Sequence, residues 1–107
     1  MTRFQQWLVQ ILLPLSDNAG RRYPDELLEH VKETLVGQFG GVTAFSRAPA
    51  QGIWAPEGGS VSREDVVVLE VMVANVDADW WRTFREALER DLEQESIVVR
   101  ATPIRML

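Results

Sequence analysis

Residues Asp65 to Asn75 read DVVVLEVMVAN, a run of valine, leucine and methionine interrupted by a single carboxylate, Glu70. An apolar run of this length that is rich in β-branched residues predicts a strand. Successive side chains of a strand point to opposite faces, and here apolar side chains lie on both faces. Both faces of this strand are therefore predicted to be covered, within the subunit or by a partner.

The segments on either side of this strand alternate between strand and helix patterns. Before it, the spacing of apolar residues predicts a strand over Phe4–Leu13, a helix over about Pro24–Gln38 that stops at Gly40-Gly41, and a strand over Val42–Arg47. After it, the spacing predicts a helix over about Ala78–Gln94, capped by Asp77 or Asp79, and a strand over Ser96–Thr102 that Pro103 ends. Residues 48–54 fit either a strand extension or an ordered loop, and residues 55–60 have the composition of a hairpin tip.

This order of elements predicts a single α+β domain over residues 1–107. Strand, helix, strand, strand, helix, strand is the order of the ferredoxin-like βαββαβ plait, an antiparallel four-stranded sheet with two helices on one face. The helix-covered face is predicted to carry Trp7, Val9, Ile11 and Leu13 together with Val67, Leu69, Val71 and Val73.

The opposite sheet face is predicted to be apolar, with a few polar side chains set in it. It carries Gln6, Leu8, Gln10, Leu12, Val66, Val68, Glu70, Met72, Ala74, Val98, Arg100 and Thr102, and either Thr43, Phe45 and Arg47 or Val42, Ala44 and Ser46 from the second predicted strand. An apolar face of this size is typical of an interface or a binding groove. We therefore expect a homodimer in which two such faces pack together.

The polar residues of this face are the candidate ligand-binding residues. Glu70 would suit a general acid or base if burial raised its pKa, and the alternative is an ion pair with Arg100 or Arg47. The two arginines could bind a ligand carboxylate or phosphate, or form a salt bridge at an interface. Trp54 could close over a pocket or pack against a neighbouring subunit. The full candidate set is Gln10, Arg47, Trp54, Glu70, Met72 and Arg100.

Composition excludes several kinds of function. The chain has 107 residues, a net charge of -5, no cysteine and one histidine, His30, so we expect no disulfide, no metal site and no cofactor. The net negative charge argues against nucleic-acid binding. Trp7–Leu15, the longest apolar stretch, is too short for a membrane span, and a signal peptide is the less favoured interpretation, so a cytoplasmic location is expected.

Two further sets of residues are assigned to structural roles. Trp80 and Trp81 share helical spacing with Phe84 and Leu88, which predicts core packing rather than a stacking platform. His30 is expected to be solvated on an outward helix face.

The order of elements and the pattern of the two faces resemble the dimeric α+β barrel superfamily. The segment FGGVTAFSRAP, residues 39–49, is also similar to small bacterial proteins of this architecture whose function is not established. The resemblance implies the fold and a dimer but no assigned activity, and His30 does not match the strand histidine of several enzymes in the superfamily. One hypothesis is a protein that binds a small, partly apolar molecule on the open sheet face, and the alternative is a cofactor-free monooxygenase-like or related enzyme. A third is an interaction module whose open face the partner subunit fills, so whether the chain is an enzyme stays open.

Overall fold

The computed structural model describes residues 5–47 and 66–107. Six elements follow one another along the chain: β1 (Gln5–Pro14), α1 (Asp25–Phe39), β2 (Thr43–Arg47), β3 (Val66–Val73), α2 (Ala78–Asp91) and β4 (Val98–Arg105). Their order and type agree with the prediction from the sequence.

The strands form one four-stranded sheet in the order β2-β3-β1-β4. β1 pairs antiparallel with both β3 and β4, and β2 pairs antiparallel with β3. Each helix connects two strands that are not adjacent in the sheet, as a crossover connection does. The fold is therefore the predicted ferredoxin-like plait.

The hydrophobic core lies between the helices and one face of the sheet. Its buried members are Val9, Ile11, Leu13, Val31, Leu35, Val67, Leu69, Val71, Val73, Trp81, Leu88, Leu92 and Ile97. These include seven of the eight sheet residues predicted for this face, and the eighth, Trp7, is half-buried against the same cluster. Alternation along β1 and β3 is the reason that the sequence identifies this face correctly.

Strand β4 extends further than the sequence predicts. It continues through Pro103, which pairs with Trp7, and ends at Arg105. Proline lacks an N–H group, so within a sheet it is confined mostly to edge strands, and β4 has the outer position in this sheet. The prediction that Pro103 ends the strand is wrong because the sequence alone does not show which strand lies at the edge.

Helix α2 begins as predicted and ends earlier. The Asp77 side chain accepts a hydrogen bond of 3.1 Å from the Trp80 N–H, which makes Asp77 the N-cap. The helix ends at Asp91 rather than Gln94, and Glu93 adopts a positive φ of 52°. A residue with positive φ commonly ends a helix, and this residue is usually glycine. Here it is a glutamate, so the sequence does not indicate where α2 ends.

Three polar contacts hold the C-terminal end of α2 and the residues that follow it. Glu89 accepts a hydrogen bond of 2.8 Å from the Ile97 N–H and is paired with Arg85 at 2.9 Å. The Tyr23 hydroxyl donates a 2.6 Å hydrogen bond to the Leu92 carbonyl. These contacts lie at the connection between α2 and β4. No helix in the described ranges is long and apolar enough to cross a membrane.

Candidate functional site

The sheet face opposite the helices is the one on which the candidate residues lie, and we refer to it as the open face. It is formed by Leu8, Gln10 and Leu12 of β1, Thr43 and Phe45 of β2, Val66, Val68, Glu70 and Met72 of β3, and Val98, Arg100 and Thr102 of β4. Thr43 pairs with Glu70 and Phe45 with Val68, which settles the choice left open for β2 in favour of the Thr43 set.

Polar residues from all the strands line up across the middle of this face. Thr43, Glu70, Gln10 and Arg100 are directly paired from strand to strand, and we call them the polar row. The Gln10 amide joins the two charged residues: its Nε2 donates to Glu70 Oε2 at 2.6 Å, and its Oε1 accepts from Arg100 Nε at 2.9 Å. An amide has both a donor and an acceptor, so it can stabilise a carboxylate on one side and a guanidinium on the other.

The alternative of an ion pair between Glu70 and Arg100 is not met by direct contact, because Gln10 lies between the two side chains and is bonded to both. Glu70 is on β3 and Arg100 is on β4, with β1 between them. Neighbouring strands are about 4.8 Å apart, so the two backbones are separated by roughly 10 Å. Gln10 occupies the position between the charges, and the sequence does not show this without the register.

Apolar side chains surround the polar row on both sides. Val68 is buried, Leu8, Leu12 and Val66 are half-buried, and Phe45, Met72 and Val98 are 50%, 54% and 47% exposed. A large apolar area that carries a few directed polar groups is typical of a surface that binds another molecule.

A cleft opens beside Glu70, where α1 connects to β2. Its volume is about 540 Å³ and it is open to solvent. Its walls are formed by Leu8, Phe39, Gly40, Gly41, Val42, Thr43, Glu70, Val71 and Met72. The volume lies within the range of known small-molecule sites, roughly 300–1,000 Å³. The cleft brings together Glu70 and Met72 of the predicted candidate set, whereas Gln10 and Arg100 continue the polar row away from it.

The glycine pair at the end of α1 has a role that the sequence analysis missed. Gly40 is the predicted helix stop: its φ is 84° and its N–H donates to the Val36 carbonyl at 2.7 Å. Gly41 lines the cleft, and a Cβ atom built on it would meet nothing within 4 Å. The pattern Gly-Gly indicates a helix stop, and only the path of the chain shows that the second glycine leaves space beside Glu70.

An aromatic cluster supports one wall of the cleft. Phe39 stacks on Trp81 with a centroid distance of 5.0 Å and an interplanar angle of 3°, and it meets Trp80 edge-on at 5.0 Å. Trp80 in turn stacks on Phe84 at 5.2 Å. The two tryptophans are thus core residues, as predicted, and they fix the position of Phe39. The indole N–H of Trp81 is buried and has no hydrogen-bond partner.

The remaining candidates are distributed as follows. The backbone of Arg47 pairs with Val66, and its side chain lies outside the described part of the structure. Trp54 and the predicted hairpin tip also lie outside the described residues. His30 is exposed on α1 beside Glu26, Glu29 and Glu33, and it is not part of the polar row. Within residues 5–47 and 66–107, no three histidine, aspartate or glutamate side chains are placed to hold a metal ion.

Comparison with known proteins identifies a fold and no family. No protein-family model matches the chain, and the search of curated proteins gave no match. Among solved structures, a phage SAM lyase in complex with S-methyl-5'-thioadenosine superposes with a TM-score of 0.57 at 14% sequence identity. The match covers 99% of this chain and 94% of the lyase chain. At this identity the likeness shows the fold alone, and it agrees with the ferredoxin-like α+β plait formed by the described residues.

Proposed function

We propose that this protein binds a small, partly apolar molecule on its open face, in the cleft beside Glu70. The observation that carries the proposal is the polar row, in which Glu70, Gln10 and Arg100 form a hydrogen-bonded chain across a largely apolar sheet face. Glu70 is half-buried and Arg100 is exposed, and a few directed polar groups within a largely apolar surface are typical of a ligand-binding site. The cleft of about 540 Å³ lies at the Glu70 end of the row.

The walls of the cleft favour a ligand with one flat apolar part and one part that carries hydroxyl or cationic groups. Phe39, Leu8 and Met72 supply apolar contact, and Glu70 supplies a carboxylate that accepts hydrogen bonds or attracts a positive charge. The net charge of -5 also favours a neutral or cationic ligand over an anionic one.

The structural neighbour suggests specific probes of this class. Its bound molecule, S-methyl-5'-thioadenosine, combines a flat base, ribose hydroxyls and an apolar thioether. S-adenosylmethionine (SAM) adds a positively charged sulfonium group. Both match the chemistry of the cleft, so we propose a nucleoside thioether as the first ligand class to test.

The test is isothermal titration calorimetry of the full chain with S-methyl-5'-thioadenosine, SAM, and a panel of aromatic alcohols and amines. We expect saturable binding of at least one probe, weakened about tenfold or more by Gly41→Leu, since the new side chain occupies space at the cleft wall.

Gly37→Leu is the matched control. Gly37 also has open space around it, but it lies on the exposed part of α1 and does not line the cleft. Equal binding by the wild type and Gly41→Leu, or no saturable binding across the panel, would contradict the proposal.

Catalysis on such a ligand is the second candidate function. It is favoured by the neighbour being a lyase that this chain matches over 99% of its length. An oxygenase, the other enzyme class predicted from the sequence, has no comparable support. The check is to incubate the protein with SAM and to follow S-methyl-5'-thioadenosine by mass spectrometry. If Glu70 takes part, Glu70→Gln abolishes its formation and Glu86→Gln, an exposed change on α2, does not.

A further inference from the structure

We propose that the main-chain N–H and C=O groups of Met72 select the ligand of the cleft. They do so by pairing with a flat ring that carries a hydrogen-bond donor next to an acceptor, as adenine does. The inference rests on the proposed function and deepens it, because it names the groups that choose the ligand. It concerns the edge of β3 and not the Met72 side chain, which lies on the open face.

A proline in β1 settles the direction of the main-chain groups of β3. In an antiparallel pair of strands, opposite residues alternate between pairs that exchange two hydrogen bonds and pairs that exchange none. Pro14 lies opposite Val66 and has no N–H, so this pair exchanges none. The register continues without a break to Trp7 opposite Val73. The odd-numbered residues of β3 therefore bond to β1, and the even-numbered residues direct their N–H and C=O groups to the other edge.

The position of Pro103 in β4 agrees with this assignment. Pro103 lies opposite Trp7, on the side of β1 that faces away from β3. Because Trp7 directs its main-chain groups to Val73 of β3, its pair with Pro103 exchanges no hydrogen bonds. The missing N–H of this second proline is therefore not needed by the sheet, and both prolines fit one alternation of hydrogen bonds.

Met72 lies just past the point where β2 stops covering the edge of β3. The pairing of the two strands ends at Thr43 opposite Glu70, so Met72 is the next residue whose main-chain groups point to this edge. Continued register would place Gly41 opposite Met72, but β2 begins at Thr43 and this pair is not formed. In the described part of the chain, no group is hydrogen-bonded to the Met72 N–H or C=O on this side.

The cleft occupies the gap that this missing pair leaves. Gly41 and Met72 both line it. The edge of an antiparallel strand offers an N–H donor and a C=O acceptor of one residue side by side, in the plane of the sheet. A ring that pairs with both groups of Met72 extends this plane into the cleft, with Phe39 as its apolar contact on the helix side.

The chemistry of this edge selects the ligand. The N–H requires an acceptor and the C=O requires a donor, and the 6-amino group and adjacent ring nitrogen of adenine supply both. Glu70 is two residues from Met72 on the same strand, a distance of about 7 Å between their Cα atoms. Its side chain lines the same cleft, so the carboxylate is placed to accept hydrogen bonds from the sugar hydroxyls of a nucleoside held at Met72.

An extended peptide is the other kind of partner that pairs with a strand edge, and the cleft does not suit it. Peptides bind in this way through a ladder of main-chain hydrogen bonds along several residues. Here β3 ends at Val73, so Met72 is the one residue of β3 beyond β2 that directs its groups to this edge. Residues 40–42 form the opposite wall of the cleft, which leaves a gap for a ring rather than for a strand.

Amide hydrogen exchange, followed residue by residue by NMR, tests the main-chain groups directly. In the free protein, the Met72 amide is expected to exchange about a hundredfold or more faster than the amides of Leu69 and Val71, which bond to β1. Saturation with S-methyl-5'-thioadenosine is expected to slow the exchange of Met72 about tenfold or more. A Met72 amide that is already protected in the free protein, or that bound ligand does not slow, overturns the proposal.

A matched pair of ligands separates this inference from the cleft proposal. The 6-deamino analogue of S-methyl-5'-thioadenosine keeps the ring, the sugar and the thioether and lacks only the donor, so calorimetry is expected to show binding about tenfold or more weaker. Equal affinity of the two ligands overturns recognition by Met72 and leaves binding in the cleft intact. Binding of aromatic alcohols or amines without binding of S-methyl-5'-thioadenosine has the same meaning, whereas no binding by any probe overturns both proposals.

Met72→Pro removes the N–H and keeps the carbonyl, and Met72→Ala is the control that removes the side chain and keeps the N–H. Because the Met72 N–H has no partner in the sheet, proline is expected to be tolerated at this edge position. We expect Met72→Pro to bind S-methyl-5'-thioadenosine about tenfold more weakly than Met72→Ala does. Equal affinity of the two variants contradicts the proposal, and hydrogen exchange in the wild type decides the matter if Met72→Pro does not fold.

Discussion

Glu89 is the residue through which pH acts on the α2–β4 connection. The hydrogen bond from the Ile97 N–H is the main cause that holds the pKa of this carboxyl below its ordinary value, desolvation by its surroundings opposes this, and Arg85 lowers it further. Because the folded-state pKa is depressed, the carboxylate contributes stability that is fully present above the ordinary glutamate pKa of 4.5 and is lost as pH falls through the folded-state pKa.

Glu89→Gln is therefore expected to lower the free energy of unfolding at pH 7, and the difference from wild type is expected to shrink as the pH falls below 4.5. Urea unfolding across this pH range measures both effects. Glu86→Gln, an exposed change on the same helix, should leave the difference small at every pH. A Glu89→Gln deficit that is the same at pH 7 and at the acid limit would show that the charge is not responsible.

The individual residues of the candidate site could be predicted from the sequence only in part. Alternation along β1 and β3 places Gln10 and Glu70 on one face, and the apolar residues around Glu70 make it conspicuous. The role of Gln10 as the link between Glu70 and Arg100 depends on which strands are neighbours, and this is a property of the fold. Gly41 carries no side chain, so no pattern of residue types indicates its place in the cleft.

Among the helices and strands, α2 has the clearest sequence signal for its first residue, which is the N-cap Asp77. Asp77 satisfies the N–H of Trp80 at the start of the helix. Asp77→Ala is expected to cost about 1 kcal/mol of stability, since an N-terminal N–H loses its partner, whereas Asp77→Asn should cost little because asparagine caps equally well. Thermal or urea unfolding of the two variants measures this, and an equal loss in both would mean that the charge of Asp77, rather than its capping bond, matters.

Element boundaries differ in how well they can be predicted, and the reason is physical. The helices and central strands begin and end within a few residues of the expected positions because their apolar periodicity ends there. Two ends differ from their predicted positions. The C-terminal end of α2 depends on the positive φ of Glu93, which no residue type in the sequence indicates. The far end of β4 depends on the pairing of Pro103 at the edge of the sheet. Neither is decided by local propensity.

For the molecule as a whole, the two sheet faces are expected to respond differently to the loss of side-chain volume. Leu69 is 0% exposed in the core, and Leu69→Ala should cost about 2–5 kcal/mol because a cavity forms. Met72, three residues later on the opposite face, is 54% exposed, and Met72→Ala should cost less than about 1 kcal/mol in the unfolding of a single subunit.

Chemical denaturation at a protein concentration too low for association makes this comparison directly. Comparable losses at the two positions would mean that the open face is packed within the subunit and is not available to another molecule. The apolar periodicity of β3 predicts that both of its faces are covered, and it does not tell a covering loop from a second copy. That ambiguity is why the whole-molecule organisation is the part least accessible from the sequence.

The proline at the outer strand has a consequence for solubility. An edge strand presents free N–H and carbonyl groups, to which a strand from another molecule can add, and repeated addition leads to fibrils. Pro103 lies near the end of β4 and has no N–H to offer, while Arg100 and Arg105 place like charges along the same strand. Addition of a further strand at this edge is thereby disfavoured, so the outer strand protects the protein from open-ended stacking of sheets.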